Sequence, residues 1–415
     1  MLKTALVLGL VCCALLRAQV GPTAPLQDGC FAITGGQVFP MNGPAIDDGV
    51  VLVKDGHIEA VGAKGAVAVP AGYRVIDASG HRVIPGFIDL HNHTAASDLH
   101  DIVYQVNPEL RVLDNIELNS AEMRIACAGG VTTVLSIPGS GTNMGGFGVI
   151  VKTFGDKPED VVVRFPGALK IAQAGNPERG NGDLGSGRMG MNWMIRNVLL
   201  EGKAYHDAWN DFESGKSSTA PAKDSRYEYL RGLFRGEYPC AVHTQIFQVV
   251  QSTLRMLARD LKLKIVIDHG EFDGFINAPL AVELEVPAAC GPRIFWLSPN
   301  DGHFYGLAAS WFWLGVSSDR IGLNTDSPVV PQEELPFQGT MAIRHGLPEG
   351  VALKGLTINA AKMLQIEKRV GSLEAGKDAD IVLWSGDPFD PRSKVKLTMV
   401  NGKVAYDAAR DGQRF

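Results

Sequence analysis

The chain has 415 residues, 45% of them hydrophobic and 20% charged, with a formal net charge of −6. This length and apolar content sustain a large core, which excludes a disordered polymer and a short disulfide-stapled scaffold. The acidic balance and the lack of any basic block argue against a nucleic-acid partner.

Residues 1–19 carry one early positive charge, Lys3, and an apolar run from Ala5 to Leu16. This pattern reads as a secretory signal peptide, with cleavage near Ala18–Gln19. The run is short for a bilayer span, so no membrane attachment is expected after cleavage. A lipid anchor on Cys12 or Cys13 and an N-terminal core helix are the alternatives. Removing Lys3 and Arg17 lowers the basic residues from 39 to 37 against 45 acidic, a mature net charge of −8. The expected location is periplasmic or secreted. Cys30, Cys127, Cys240 and Cys290 remain, widely spaced and without a CxxC pair, so a cysteine metal site is not expected. Buried free thiols and an export-permitted disulfide both stay open.

Residues 20–29 read as a loose lead-in. Residues 30–82 are short apolar runs broken by turns, and Asp55–Gly56 sits between two strand-like runs, a hairpin signal. Similar runs return at Ile381–Trp384 and Leu397–Tyr406, with Asn401–Gly402 marking another hairpin. The two ends, 30–82 and 366–408, are therefore expected to form one small discontinuous β-sandwich.

Residues 83–365 alternate strand and helix patterns, which predicts an α/β class and a closed (β/α)8, TIM-like barrel. The eight predicted strands are Val83–Leu90, Val131–Ile137, Val149–Thr153, Ala168–Ala172, Cys240–His243, Lys264–Asp268, Ile294–Ser298 and Ile321–Thr325. Between the fifth and sixth, Ile246, Val249, Val250, Leu254, Leu257, Ala258 and Leu261 make one helical stripe. A long insertion, 176–238, contains a helix with Ile195, Val198, Leu199, Tyr205, Trp209 and Phe212 on one side.

The stretch Val83–His93, VIPGFIDLHNH, organises this central region. Its apolar residues read as a buried strand that ends in His91-x-His93. Side chains two apart on a strand share a face, so both imidazoles project together. Reading the other strand ends adds Lys170, His243, His269 and Asp326. Such a set of N and O donors suits Zn²⁺ or a similar divalent ion, one or two per chain.

PGFIDLHNH resembles the first-strand signature of the amidohydrolase superfamily. The tail from Gly355 to Pro388 is similar to that superfamily's last helix and its return to a small β-domain. The resemblance runs from about Cys30 to about Tyr406 and looks like an exported, imidazolonepropionase-like or dipeptidase-like branch. It implies that His91, His93, His243 and His269 bind metal and that Asp326 is both a ligand and the proton-handling Asp. It also implies that Lys170, carboxylated by CO₂, bridges two ions, with Lys152 as the fallback. In the similar exported proteins the stretch reads like LK-x-A-x-GENP-x-R; here it reads LKIAQAGNPER, Leu169 to Arg179, with Gly175 in place of that Glu, which puts the second ion in doubt unless Lys170 is the bridge.

The expected reaction is metal-assisted hydrolysis of an amide-like C–N bond in a dipeptide-like, N-acyl or cyclic amide. The alternatives are a mononuclear deacetylase or deaminase and, from another class, a non-catalytic metal-dependent binding protein. The Gly-rich stretch Pro138–Gly148 lacks phosphate-loop spacing and resembles the family's substrate loop. Asn143, Arg188 and His303 are the candidate substrate contacts, although Arg188 also suits a surface salt bridge. The expected partner is a small molecule, and a homo-oligomer stays open.

Overall fold

In the computed structural model, the structure describes residues 27–96, 99, 104–173, 175–178 and 187–414. The predicted signal peptide and part of the Gly- and Arg-rich opening of the insertion lie outside the described residues. Among those described, no helix is long and apolar enough to cross a membrane, and the four cysteines are buried and free.

The chain begins with five strands: β1 Cys30–Val38, β2 Ile46–Lys54, β3 His57–Ala63, β4 Arg74–Asp77 and β5 Arg82–Pro85. Seven central strands lie in parallel array or support it: β6 Phe87–Asn92, β7 Val131–Ser136, β8 Met144–Phe147, β9 Val149–Lys152, β10 Val162–Arg164, β11 Leu169–Ala172 and β12 Cys240–Thr244. Then come β13 Ile265–His269, β14 Ala288–Cys290, β15 Phe295–Leu297, β16 Phe304–Gly306 and β17 Ile321–Leu323. The chain returns through β18 Ile381–Trp384, β19 Val395–Val400 and β20 Lys403–Asp407.

The two ends meet in one eight-stranded sheet, because β18 pairs antiparallel with β5. Strand β1 changes partner along its length, pairing with β4 through Phe31–Thr34 and with β5 through Gln37–Val38. A strand that switches partners at an irregularity is how sheet corners are made. Period-two alternation then separates two apolar faces: Ile33, Val51, Val53 and Ile381 on one, Ala32, Val50 and Leu52 on the other.

The chain passes from this sheet into β6 through Gly86. A Cβ there would lie 2.0 Å from Thr132 Oγ1, so only glycine fits. Strands β6 and β7 are parallel. Strands β11, β12, β13, β14 and β17 run parallel in that order. The third predicted strand departs from expectation. The run β8–β9 is antiparallel to both neighbours, β9 pairing with β7 and β8 with β11, and Gly148 and Ala168 continue the pairing between them. At the other side, Asn92 bridges to Ser327, just past β17. The seventh predicted strand, Ile294–Ser298, is also corrected. Among the described residues Phe295–Leu297 pairs with β16 alone, in a partly exposed hairpin, and the strand beside β13 is Ala288–Cys290.

One apolar cluster takes Ile88, Leu135, Ile150, Ala168, Ala241, Val266 and Ala289 from successive strands. A larger one packs the strands against surrounding helices, with Phe87, Phe147 and Trp311 fully buried. The predicted stripe after β12 is helical, Phe247–Thr253, continuing as a π-helical turn over Leu254–Asp260. The insertion helix spans Arg188–Glu213 and buries Ile195, Val198 and Leu199 as expected, together with Met191 and His206.

Candidate active site

Three imidazoles are each held by one ring nitrogen. His91 Nδ1 lies 2.9 Å from Asp268 Oδ2, His93 Nδ1 2.8 Å from the Ile137 carbonyl, and His269 Nδ1 2.6 Å from the Gly291 carbonyl. An acceptor at Nδ1 fixes the proton there and leaves Nε2 as a lone pair. Those Nε2 atoms converge. His91 and His93 Nε2 are 3.1 Å apart, and Asp326 Oδ1 is 3.3 and 3.1 Å from them. His269 Nε2 is buried with no hydrogen-bond partner among the described residues. The His243 ring stands 4.5 Å from the His269 ring, and Lys170 Nζ lies 3.0 Å from His91 Nε2. The structure therefore brings together all six residues predicted for the metal site.

The donor set fits a divalent cation. Lone pairs facing one another at such distances need a positive charge between them, and His91, His269 and Asp326 offer ligand atoms within 4.8 Å of one another. The protonation states agree. Burial, then the Lys170 charge, holds His91 well below its ordinary pKa, and burial pushes His269 down to about 4. Both imidazoles are neutral at pH 7. Burial pushes the Lys170 ammonium down to about 8. Burial alone would raise Asp326, but the His93 hydrogen bond and the charges of His269 and Lys170 hold it below the usual carboxylate range.

Two buried carboxylates brace this set. Asp268 orients His91, and burial pushes its carboxyl up to about 7. Asp89 accepts from Thr325 and Gln332, which ties β6 to the loop carrying Asp326. Sequence reasoning passed over both. The available signal was an acid inside an otherwise apolar strand, FIDLH and IVIDH, because such an acid is buried only with a partner.

A cavity of about 480 Å³ opens on the site. His243, Asp326, Gln245, Glu271, Arg293 and Phe295 are among its lining residues. Asn143 is buried, donating to the Ala172 carbonyl at 3.2 Å beside the Lys170 strand, and is not among those lining residues. Two predicted contacts are not brought to the site. Arg188 is half exposed and paired with Glu178 at 3.0 Å, an ordinary surface ion pair. His303 is 75% exposed on the β15–β16 hairpin, near Asp301; that hairpin stands outside the row of parallel strands. Lys152 is also elsewhere, because its strand runs antiparallel and carries it to the opposite end, between Asp378 and Asp380.

The model of the Amidohydrolase family matches residues 313–405. The crystal structure of an amidohydrolase from Thermotoga maritima MSB8 aligns with a TM-score of 0.81 and 30% identity, over 91% of this chain and 100% of that one. Imidazolonepropionase of Herpetosiphon aurantiacus is 25% identical over 421 residues, 88% of each chain. Amidohydrolase tasK of Hapsidospora irregularis is 24% identical over 86% of this chain, which spans only 40% of that relative's length. The chain belongs to the amidohydrolase family and is a hydrolase acting on carbon–nitrogen bonds.

Proposed function

We propose that this chain is an exported, metal-dependent amidohydrolase that cleaves an amide-like C–N bond in a dipeptide-like, N-acyl or cyclic amide. One observation carries the reading: three imidazoles, each fixed through Nδ1, turn Nε2 toward a shared point beside the Asp326 carboxylate. The strand pairings support a closed eight-stranded barrel with β8–β9 as its one antiparallel member, its rim at the C-terminal strand ends. The partner switch in β1 supports a sandwich built from the two ends, about 30–82 and 366–408, flanking a barrel of about 83–365, although β5 carries the first part on to Pro85. The apolar run before Leu16 supports export.

His91, His93, His243, His269 and Asp326 would hold the ion, with Lys170 as a carbamate bridging a second. When bound, a divalent ion supplies a water that ionises near neutral pH and polarises a carbonyl. Asp326 accepts the proton of the attacking water and delivers it to the leaving nitrogen. Its low pKa keeps it ready to accept. Asp268 holds His91 in the tautomer that presents Nε2. The buried Lys170 amine reacts with CO₂ as its neutral form, losing one proton as the carbamate forms; its lowered pKa supports this. A second reading keeps one ion and leaves Lys170 facing substrate, and Gly175, where the similar sequences carry Glu, favours it.

The test is metal analysis of protein purified without chelator, followed by turnover of N-acyl amino acids, dipeptides and cyclic imides. Bound metal and hydrolysis of at least one class are expected. Protein that binds no divalent metal and cleaves none of the three would defeat the proposal.

A further inference from the structure

Strands β13 and β14 lie side by side, with His269 opposite Cys290. Their exits remain clamped together. His269 Nδ1 donates to the Gly291 carbonyl, and the Arg293 amide donates to Glu271 Oε1 at 2.9 Å. The other oxygen of the buried Glu271 accepts from Gln245 Nε2 at 3.0 Å. Glu271 is thus occupied as a brace, and the backbone of Arg293 is fixed to the segment that also carries His269.

The Arg293 side chain is held as well. Its guanidinium lies over the Phe272 ring, 4.8 Å from the centroid, and Phe272 meets Trp296 edge-on at 4.8 Å. Among the described residues its one ion-pair contact is loose, Nε to Glu271 at 3.7 Å, and neither Nη atom donates a hydrogen bond. The Nη edge of a planar guanidinium is the part that takes a carboxylate through two parallel bonds. Arg293 lines the same cavity as Asp326, and Pro292, Ile294, Phe295, Val329 and Val330 give that cavity apolar walls. A stacked, half-exposed cation beside the apolar wall of the cavity, on a chain with net negative charge, marks a place for an anionic group.

We propose that Arg293 is the specificity residue that receives a substrate carboxylate, so that the substrate class is an amide or cyclic amide carrying a free carboxylate and an apolar side group. This rests on the hydrolase reading above, which fixes the cavity as the substrate site.

The test uses the full-length, metal-loaded protein and two probes that differ only in charge, N-acetyl-L-leucine and N-acetyl-L-leucinamide. Calorimetry should give the acid about tenfold or more tighter binding than the carboxamide in the unaltered protein. Arg293→Met keeps an unbranched stem against Phe272 and should abolish the preference at unchanged metal content. Arg293→Lys keeps the charge without the fork and should retain part of it. Equal binding of the two probes, or no binding of either, would overturn the proposal. A preference that survives in Arg293→Met would also overturn it, because the carboxylate would then be read by the metal site. Failure of the hydrolase reading appears separately, as absence of turnover across the amide panel.

Discussion

Two clusters bury a lysine at opposite ends of the central strands, and they are built differently. Lys152 sits between Asp378 at 2.9 Å and Asp380 at 2.5 Å, and Asp378 also receives Arg369 at 2.8 Å. The charges there are paired, and the cluster joins the central strands to the returning chain end. Lys170 has no carboxylate within ion-pair distance among the described residues; its near neighbour is the nitrogen of His91. Basic groups are stacked on basic groups, and burial lowers the pKa of both. A buried charge with its partner present is architecture. A buried set of lone pairs facing one another is incomplete without a cation, and that incompleteness marks the functional end.

The largest expected effect lies at the functional end. Asp326→Asn should keep the fold and bind metal, yet lower turnover by about 10²–10⁴, the usual contribution of a general acid–base group. Steady-state kinetics checks this, and activity within about threefold of the unaltered enzyme would give the proton work to another group.

At the paired end the effect should fall on stability. Lys152→Met leaves Asp378 and Asp380 buried with less compensation and should cost about 3–5 kcal/mol, read from denaturant unfolding. Metal bound per folded chain should not change.

Asp268→Asn should be milder, because it alters an orienting group. Metal affinity should fall by about 10–100-fold, measured by competition with a chelator. An unchanged affinity would mean that the Ile137 and Gly291 carbonyls orient the imidazoles without it.

The smallest expected effect is the change in stability of Lys170→Met. Removing a buried ammonium that lacks a carboxylate should move unfolding by less than about 1 kcal/mol, in contrast to Lys152→Met. In Lys170→Ala turnover should fall, and a small added carboxylic acid should restore part of it by filling the vacated position if the carbamate bridge is correct.

Much of this contrast was legible in the sequence. The His91-x-His93 pair follows from the period of a strand, and His243, His269 and Asp326 follow from strand ends. The remainder was obscured for physical reasons. Phe295–Leu297 looks like a core strand because aromatic residues favour strands, and it does form one, but in an exposed hairpin. Ala288–Cys290 carries little propensity signal, yet its small residues are fully buried beside β13. Strand direction leaves no trace in composition, so Lys152 was assigned to the wrong end. Arg293 lies past a strand that was itself misplaced, and its role depends on Phe272 and Glu271 from the neighbouring exit.

The central claim is that the imidazole and carboxylate cluster holds a divalent ion. Elemental analysis of the chain and of His91→Ala, both purified without chelator, tests it most directly. The account predicts at least one equivalent of metal in the first, a marked loss in the second, and retention of fold in both. An unaltered chain that is active and metal-free, or a His91→Ala protein with full metal content, would contradict it.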